Sequence, residues 1–234
     1  MKSFHHQRKS ANSVEMSKEK YLNDELLINA RKPEGELGCE LIDMMNENHE
    51  GLARWSVSHL DISENDIILD IGCGGGVNVE RFLKMTSNKV YGLDYSEVSV
   101  ERSLERNKKA VDDGRCKIIN GSVSNLPFDD NSFDIVTGFE TVYFWPDLIN
   151  DLREVRRVLK DDGIIFIANE ALPIEGDVRQ EKFAELLDAN IYSEDELDES
   201  LRKAGFSNVI SFIRESKDSF TGDIANWICI IGQK

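Results

Sequence analysis

The chain has 234 residues, 40% of them apolar, enough for one large domain with a sizeable core. Its formal net charge of −16 argues against a nucleic-acid surface, which needs clustered Lys and Arg against phosphate. The apolar runs are too short to span a bilayer, which excludes a membrane-embedded chain. The four cysteines (Cys39, Cys73, Cys116, Cys229) are scattered, with no CxxC pair and no histidine at ligand spacing. They read as reduced thiols of a cytoplasmic protein, with no metal site expected.

In chain order, residues 1–18 are polar and aperiodic and are expected to form a disordered tail, His5 and His6 included. Residues 19–62 form a helical leader. A short amphipathic pattern carries Tyr21, Leu22, Leu26 and Leu27, and Arg31-Lys32-Pro33-Glu34-Gly35 breaks it. A second helix follows, with Leu37, Leu41, Ile42 and Met45 on one face. An Asn-rich corner with His49 leads to a third helix through Trp55 and Leu60. The leader stands outside the strand–helix alternation that follows and is expected to close over a cofactor cleft as a lid.

Residues 63–234 read as one α/β domain. Strands are expected at 67–71, 89–94, 117–120, 132–139 and 164–168, with helices near 77–86, 97–111 and 147–159, the last ended by Asp161-Asp162-Gly163. Regular alternation forces right-handed crossovers and a doubly wound, mostly parallel sheet. After Glu170 the pattern changes to helices near 178–189 and 194–204, then strands at 209–213 and 225–231 with no helix between them. Those last two are expected to pair antiparallel, giving a seven-stranded sheet with an antiparallel last strand.

Ile67-Ile68-Leu69-Asp70-Ile71-Gly72-Cys73-Gly74-Gly75-Gly76 organises this domain: a buried strand, a glycine turn and then a helix. That geometry brings backbone N–H groups up to a ligand at the helix N-terminus. The dinucleotide fingerprint G-x-G-x-x-G fails, because Val77 stands at the third glycine. That speaks against an NAD-dependent oxidoreductase. The spacing that holds is Gly72-x-Gly74-x-Gly76, preceded by Asp70. A second carboxylate, Asp94, ends the next strand, where it is placed to take both hydroxyls of a ribose. The plainer account, an acid capping the following helix, suits Ser96 better.

These segments resemble the class I S-adenosylmethionine (SAM) methyltransferases. The likeness also covers Gly92-Leu93-Asp94-Tyr95-Ser96, Leu126-Pro127-Phe128-Asp129-Asp130-Asn131-Ser132-Phe133-Asp134 and Glu154-Val155-Arg156-Arg157-Val158-Leu159-Lys160-Asp161-Asp162-Gly163. The resemblance implies a Rossmann-like methyltransferase fold that takes SAM and releases S-adenosylhomocysteine. It implies that Asp70 orders the glycine loop and serves the methionine amino group. Gly72, Cys73 and Gly74 would line the methionine and ribose side, Asp94 would hold the ribose, and Tyr95 would flank the adenine. Ser122 and Val123 follow strand three, where many relatives carry an Asp for the adenine amino group. With Ser122 there, that recognition weakens or passes to backbone carbonyls.

The sulfonium leaving group is already activated, so positioning and desolvation carry much of the catalysis and no triad or metal set is required. A base is needed only where the acceptor must lose a proton. His49, Glu140 and Tyr143 are the expected catalytic residues, with Glu170 a further candidate base. Trp145 is a second aromatic beside the acceptor, with core packing as its plainer role. The acidic charge and the lack of an Asn/Asp-Pro-Pro-Tyr tetrapeptide favour a small-molecule acceptor. The alternative is a module that binds SAM or a nucleotide without methyl transfer.

Overall fold

Residues 24–217 and 224–234 are described by the computed structural model; the expected tail and the start of the leader lie outside them. The core strands are β1 (Ile68–Ile71), β2 (Val90–Asp94), β3 (Cys116–Asn120), β4 (Phe133–Phe139), β5 (Leu159–Asn169), β6 (Ser207–Lys217) and β7 (Ile224–Gln233). They form one sheet in the order β3-β2-β1-β4-β5-β7-β6. The pairs β1–β2, β1–β4, β2–β3 and β4–β5 are parallel, whereas β7 runs antiparallel to both β5 and β6. This is the expected doubly wound sheet. Its order reverses between β1 and β4, where a crevice opens at the carboxyl ends of the strands.

The helices are α1 (Asp24–Ile28), α2 (Gly35–Asn48), α3 (Glu50–Val57), α4 (Val77–Leu83), α5 (Glu97–Arg106), α6 (Lys108–Asp112), α7 (Leu148–Val158), α8 (Val178–Leu187) and α9 (Glu194–Ala204). β5 shows how the two faces are covered, because alternate residues of a strand point opposite ways. Ile165 and Ile167 pack with Leu152 and Val155 of α7 and Leu197 and Leu201 of α9. Phe166 and Ala168 pack with Ala53 and Val57 of α3 and with Phe82 of α4. The leader is therefore part of one hydrophobic layer. No helix among the described residues is long and apolar enough to cross a membrane. The four cysteines are unpaired.

Several boundaries depart from expectation for identifiable reasons. The helix expected over 97–111 divides at Asn107, whose buried side-chain amide donates to the Gly76 and Ser103 carbonyls at 3.1 and 3.0 Å. α4 stops at Leu83, and the Thr86 hydroxyl ties the following turn to the carbonyls of Glu64 and Asp66. Asp161-Asp162-Gly163 does not end a helix. α7 ends at Val158, and β5 starts at Leu159 opposite Phe133, with Lys160 bound to Asp134 at 2.7 Å. In the leader, α2 runs on to Asn48, so α2 and α3 abut at His49 with no open corner between them. Leu41 and Ile42 are buried, but Leu37 is 39% exposed.

Candidate active site

The glycine turn leaves β1 with left-handed backbone at Gly72 (φ 69°) and Gly74 (φ 49°), a region that side-chain-bearing residues rarely adopt. The two glycines serve different needs. A Cβ at Gly72 would lie 2.3 Å from Thr141 Oγ1, so the loop is pressed against the segment after β4. A Cβ at Gly74 would meet nothing within 4 Å, because Gly74 faces an open cleft. At the end of β1, Asp70 is buried and accepts from the Thr137 hydroxyl at 2.7 Å. Burial pushes its carboxyl up to about 7. Asp70 is tied to β4 through Thr137 and does not line the cleft.

Asp94 ends β2 at the cleft wall, 5% exposed. Its Oδ2 accepts from Gly74 N–H at 2.9 Å and its Oδ1 from Ser96 N–H at 2.9 Å. Burial raises its pKa, and these N–H groups partly offset the shift. Ser96, not Asp94, is the N-cap of α5 and accepts from Ser99 N–H. The acid is therefore not consumed as a cap: it bridges two loops and presents a carboxylate to the cleft. Gly72, Cys73 and Tyr95 line the same space. The Tyr95 hydroxyl donates to the Arg31 carbonyl, and burial pushes its pKa up to about 12.

The leader supplies the opposite wall. Arg31, Pro33, Asn46, His49 and Glu50 all line the cleft, whose volume including its mouth is about 860 Å³. The Ser96 hydroxyl donates to the Pro33 carbonyl at 2.6 Å, and Arg31 pairs with Asp188 after α8 at 2.8 Å. Arg81 of α4, bound to Glu50 and Asn78, also lines the cleft. It was not singled out in the sequence, where it reads as one more surface charge of a short helix.

His49, Glu140, Tyr143 and Glu170 come together from three places in the chain, and of these His49 and Glu140 line the cleft. Glu140 follows β4 in left-handed backbone (φ 55°), its N–H donating to the Ala168 carbonyl at 2.9 Å. Its carboxylate accepts from Glu170 N–H and from the Tyr143 hydroxyl, which in turn accepts from Ala171 N–H at 3.3 Å. His49 Nε2 lies 3.7 Å from Glu170 Oε1. One ligand atom from each of His49, Glu140 and Glu170 lies within 4.8 Å of the others. Burial first, and the Glu170 charge second, push the Glu140 carboxyl up to about 8; His49 opposes the shift. Tyr143 is buried against Leu187 and Ala189 and reaches the cluster by its hydroxyl alone. Burial raises its pKa too.

Besides Asp70, the expected residues Tyr143 and Glu170 are not among those that line the cleft, and three more stand apart from it. Ser122 is exposed and caps a 3₁₀ turn by accepting from Ser124 N–H at 3.3 Å. Val123 is buried in the core with Leu93 and Leu126. Trp145 is likewise buried in the core. Thr141 and Phe144 line the cleft without having been singled out. Their one signal in the sequence is position, in the segment just after β4.

Residues 69–167 match the family model of a methyltransferase domain. Over 151 residues the chain is 31% identical to 27-O-demethylrifamycin SV methyltransferase of Amycolatopsis mediterranei, covering 62% of this chain and 56% of that protein. Over 127 residues it is 33% identical to 24-methylenesterol C-methyltransferase 2 of Arabidopsis thaliana, covering 54% and 34%. The chain thus spans about a third to about half of these relatives' lengths. Haemonchus contortus phosphoethanolamine N-methyltransferase 2, solved with phosphomonomethylethanolamine and S-adenosylhomocysteine, shares the fold. Its TM-score is 0.71 at 16% identity, over 83% of this chain and 57% of that one. The match over residues 69–167, set on this sheet order and glycine turn, identifies that stretch as a methyltransferase domain.

Proposed function

We propose that the protein transfers a methyl group from SAM to a small-molecule acceptor in the cytoplasm. The observation that carries this is one cleft lined both by the glycine cradle and Asp94 and by His49 and Glu140. The residues fit the adenosyl group: Gly74 leaves open the space that a Cβ would fill, and Asp94 offers a buried carboxylate beside it. When bound, SAM supplies a methyl carbon whose bond to sulfur breaks as the acceptor's lone pair forms the new bond, the old electron pair staying on sulfur.

The chain's own residues then have distinct tasks. Asp94 holds the ribose hydroxyls, and Gly72, Cys73 and Gly74 carry the methionine side. Asp70 steadies the end of β1 against β4 through Thr137, where the glycine loop begins, and Tyr95 flanks the adenine. Because Ser122 and Val123 lie outside the lining, the adenine amino group is left to backbone carbonyls. Residues 19–62 act as a lid that excludes water, which strengthens electrostatics in the cleft and holds the reactants at attacking distance. His49 and Glu170 receive the acceptor's proton; Glu140, held protonated by burial, and Tyr143 position them. A small acceptor agrees with the relatives, whose names are those of a rifamycin and a sterol methyltransferase. It agrees also with the net charge of −16. The test is a calorimetric titration with SAM and with S-adenosylhomocysteine, followed by an assay for S-adenosylhomocysteine release over a pool of small acceptors. Uptake of neither nucleoside would refute the reading; binding with no turnover over a broad pool would leave a SAM-binding module.

A further inference from the structure

We propose that Arg81 binds the carboxylate of the cofactor's methionine tail and so makes the cleft selective for adenosyl ligands that carry one. The inference rests on the methyl-transfer reading and assigns a residue to a charge that this reading leaves without a partner.

Three observations lead to it. First, the described residues that line the cleft include two guanidinium groups, and one of them is committed elsewhere. Arg31 Nη1 donates to Asp188 Oδ2 at 2.8 Å and to the Leu187 carbonyl at 3.0 Å, at the end of α8. Second, Arg81 is held at the glycine turn. Gly76 is the N-cap of α4, and a helical side chain leans back toward the helix N-terminus. The Arg81 side chain does so: its Nη1 donates to Asn78, one turn earlier, and its Nη2 to Glu50 of the leader. Its charge also reaches Asp70 at the end of β1, where it pulls against the rise in pKa that burial causes. Third, Glu50 and Asp94 border the same space and by themselves would repel a ligand carboxylate. Arg81, seated against Glu50, neutralises that charge. Its bonds to Asn78 and Glu50 occupy two of the five N–H donors of a guanidinium, a fork shaped to take a carboxylate.

The cofactor's tail carries a carboxylate and an ammonium on one carbon. A cation set at the turn gives the carboxylate end a fixed place, so Arg81 serves the placing of the methyl group as well as affinity. Glu50 is the first residue of α3, so the same guanidinium joins the leader to the bound tail.

The experiment is a calorimetric titration of the full chain with S-adenosylhomocysteine and with its decarboxylated counterpart, S-adenosyl-3-thiopropylamine. The second ligand keeps the nucleoside, the sulfur and the ammonium. The expected result is at least ~10-fold tighter binding of S-adenosylhomocysteine. Arg81→Gln should weaken that ligand by ~10-fold or more and the decarboxylated one by less than ~3-fold. Arg81→Lys keeps the charge without the fork and should retain part of the preference, which gives a second reading should Arg81→Gln not fold. Melting curves confirm folding, and Arg31→Gln should keep the preference whole. Equal affinity of the unaltered chain for the two ligands would overturn the proposal, as would a preference that survives in Arg81→Gln or vanishes in Arg31→Gln. Equal weakening of both ligands in Arg81→Gln would overturn it too, reducing Arg81 to a structural tie between α4 and Glu50. Failure of the unaltered chain to bind either ligand would instead remove the methyl-transfer reading beneath it, so the two failures are distinguishable.

Discussion

Glu140 combines a left-handed backbone, a buried carboxyl and a charged neighbour, a combination that a fold keeps only when surrounding contacts over-determine it. Glu140→Gln keeps the acceptor oxygen toward Glu170 N–H but removes the titrating carboxyl. It is expected to lower turnover by ~10²-fold with little change in SAM affinity, read as S-adenosylhomocysteine release against calorimetric Kd. Equal losses in both would take Glu140 off the acceptor side. The same residue governs a pH dependence. Its folded pKa, about 8, lies above the ordinary carboxyl value, and that of Asp70 is about 7. The folded state therefore binds more protons than the unfolded one. The stability these groups lend is full below ~pH 4 and is lost as pH rises through about 7 and then about 8. The melting temperature should fall by ~5 °C or more between pH 5 and pH 8.5. Glu140→Gln should flatten the upper part of that slope and leave the Asp70 part. Glu170, His49 and Tyr143 face Glu140, and an unchanged slope in the variant would take Glu140 out of the effect.

At the scale of elements, the turn from β1 to α4 and the clamp beneath β4 carry separable predictions. Gly72→Ala drives a methyl group onto Thr141 and also forces alanine to φ 69°, so it should cost both stability and cofactor affinity. Gly74→Ala meets only the backbone penalty, ~1–2 kcal/mol, but fills the cradle. It should therefore stay folded and bind S-adenosylhomocysteine at least ~10-fold more weakly, since the backbone can no longer approach the ligand. Comparing melting curves with calorimetry on the two variants checks the distinction. Arg157 of α7 donates to the carbonyls of Leu126 and Phe128 and to Glu154 and Asp130, holding the loop before β4. Arg157→Ala leaves those carbonyls without their donor. It should lower stability by ~2 kcal/mol, a fall of ~4–8 °C in Tm, while sparing SAM affinity.

At the scale of the molecule, leader and core residues line one cleft, so the proposed lid predicts that ligand binding and leader order are coupled. α2 and α3 are expected to exchange their amide protons more slowly once S-adenosylhomocysteine is bound. The nucleoside at a hundred times its Kd should also add ~2.7 kcal/mol of stability. Hydrogen exchange followed by mass spectrometry reads the first; unchanged rates over 35–57 would discard the lid. The strands β6 and β7 extend past their expected ends, to Ser207–Lys217 and Ile224–Gln233, because they pair with each other along their length and β7 pairs also with β5. Backbone pairing across strands sets those limits, and side-chain periodicity does not report it.

What the amino-acid sequence determined by itself is what local pattern carries. Alternating strand and helix periods specified the doubly wound sheet. Glycine spacing specified a turn that only glycine can make, and Asp70 and Asp94 marked two strand ends at the crevice. The tertiary structure alone decided which distant groups meet. It laid His49 of the leader against Glu170 after β5 and Glu140 after β4, left Ser122 and Val123 outside the cleft, and buried Asp70 against Thr137 of β4 rather than in the cleft wall. Such meetings follow from how an apolar helix face seats on a sheet over long chain separations, and no short-range spacing encodes where a side chain lands once the layers have packed.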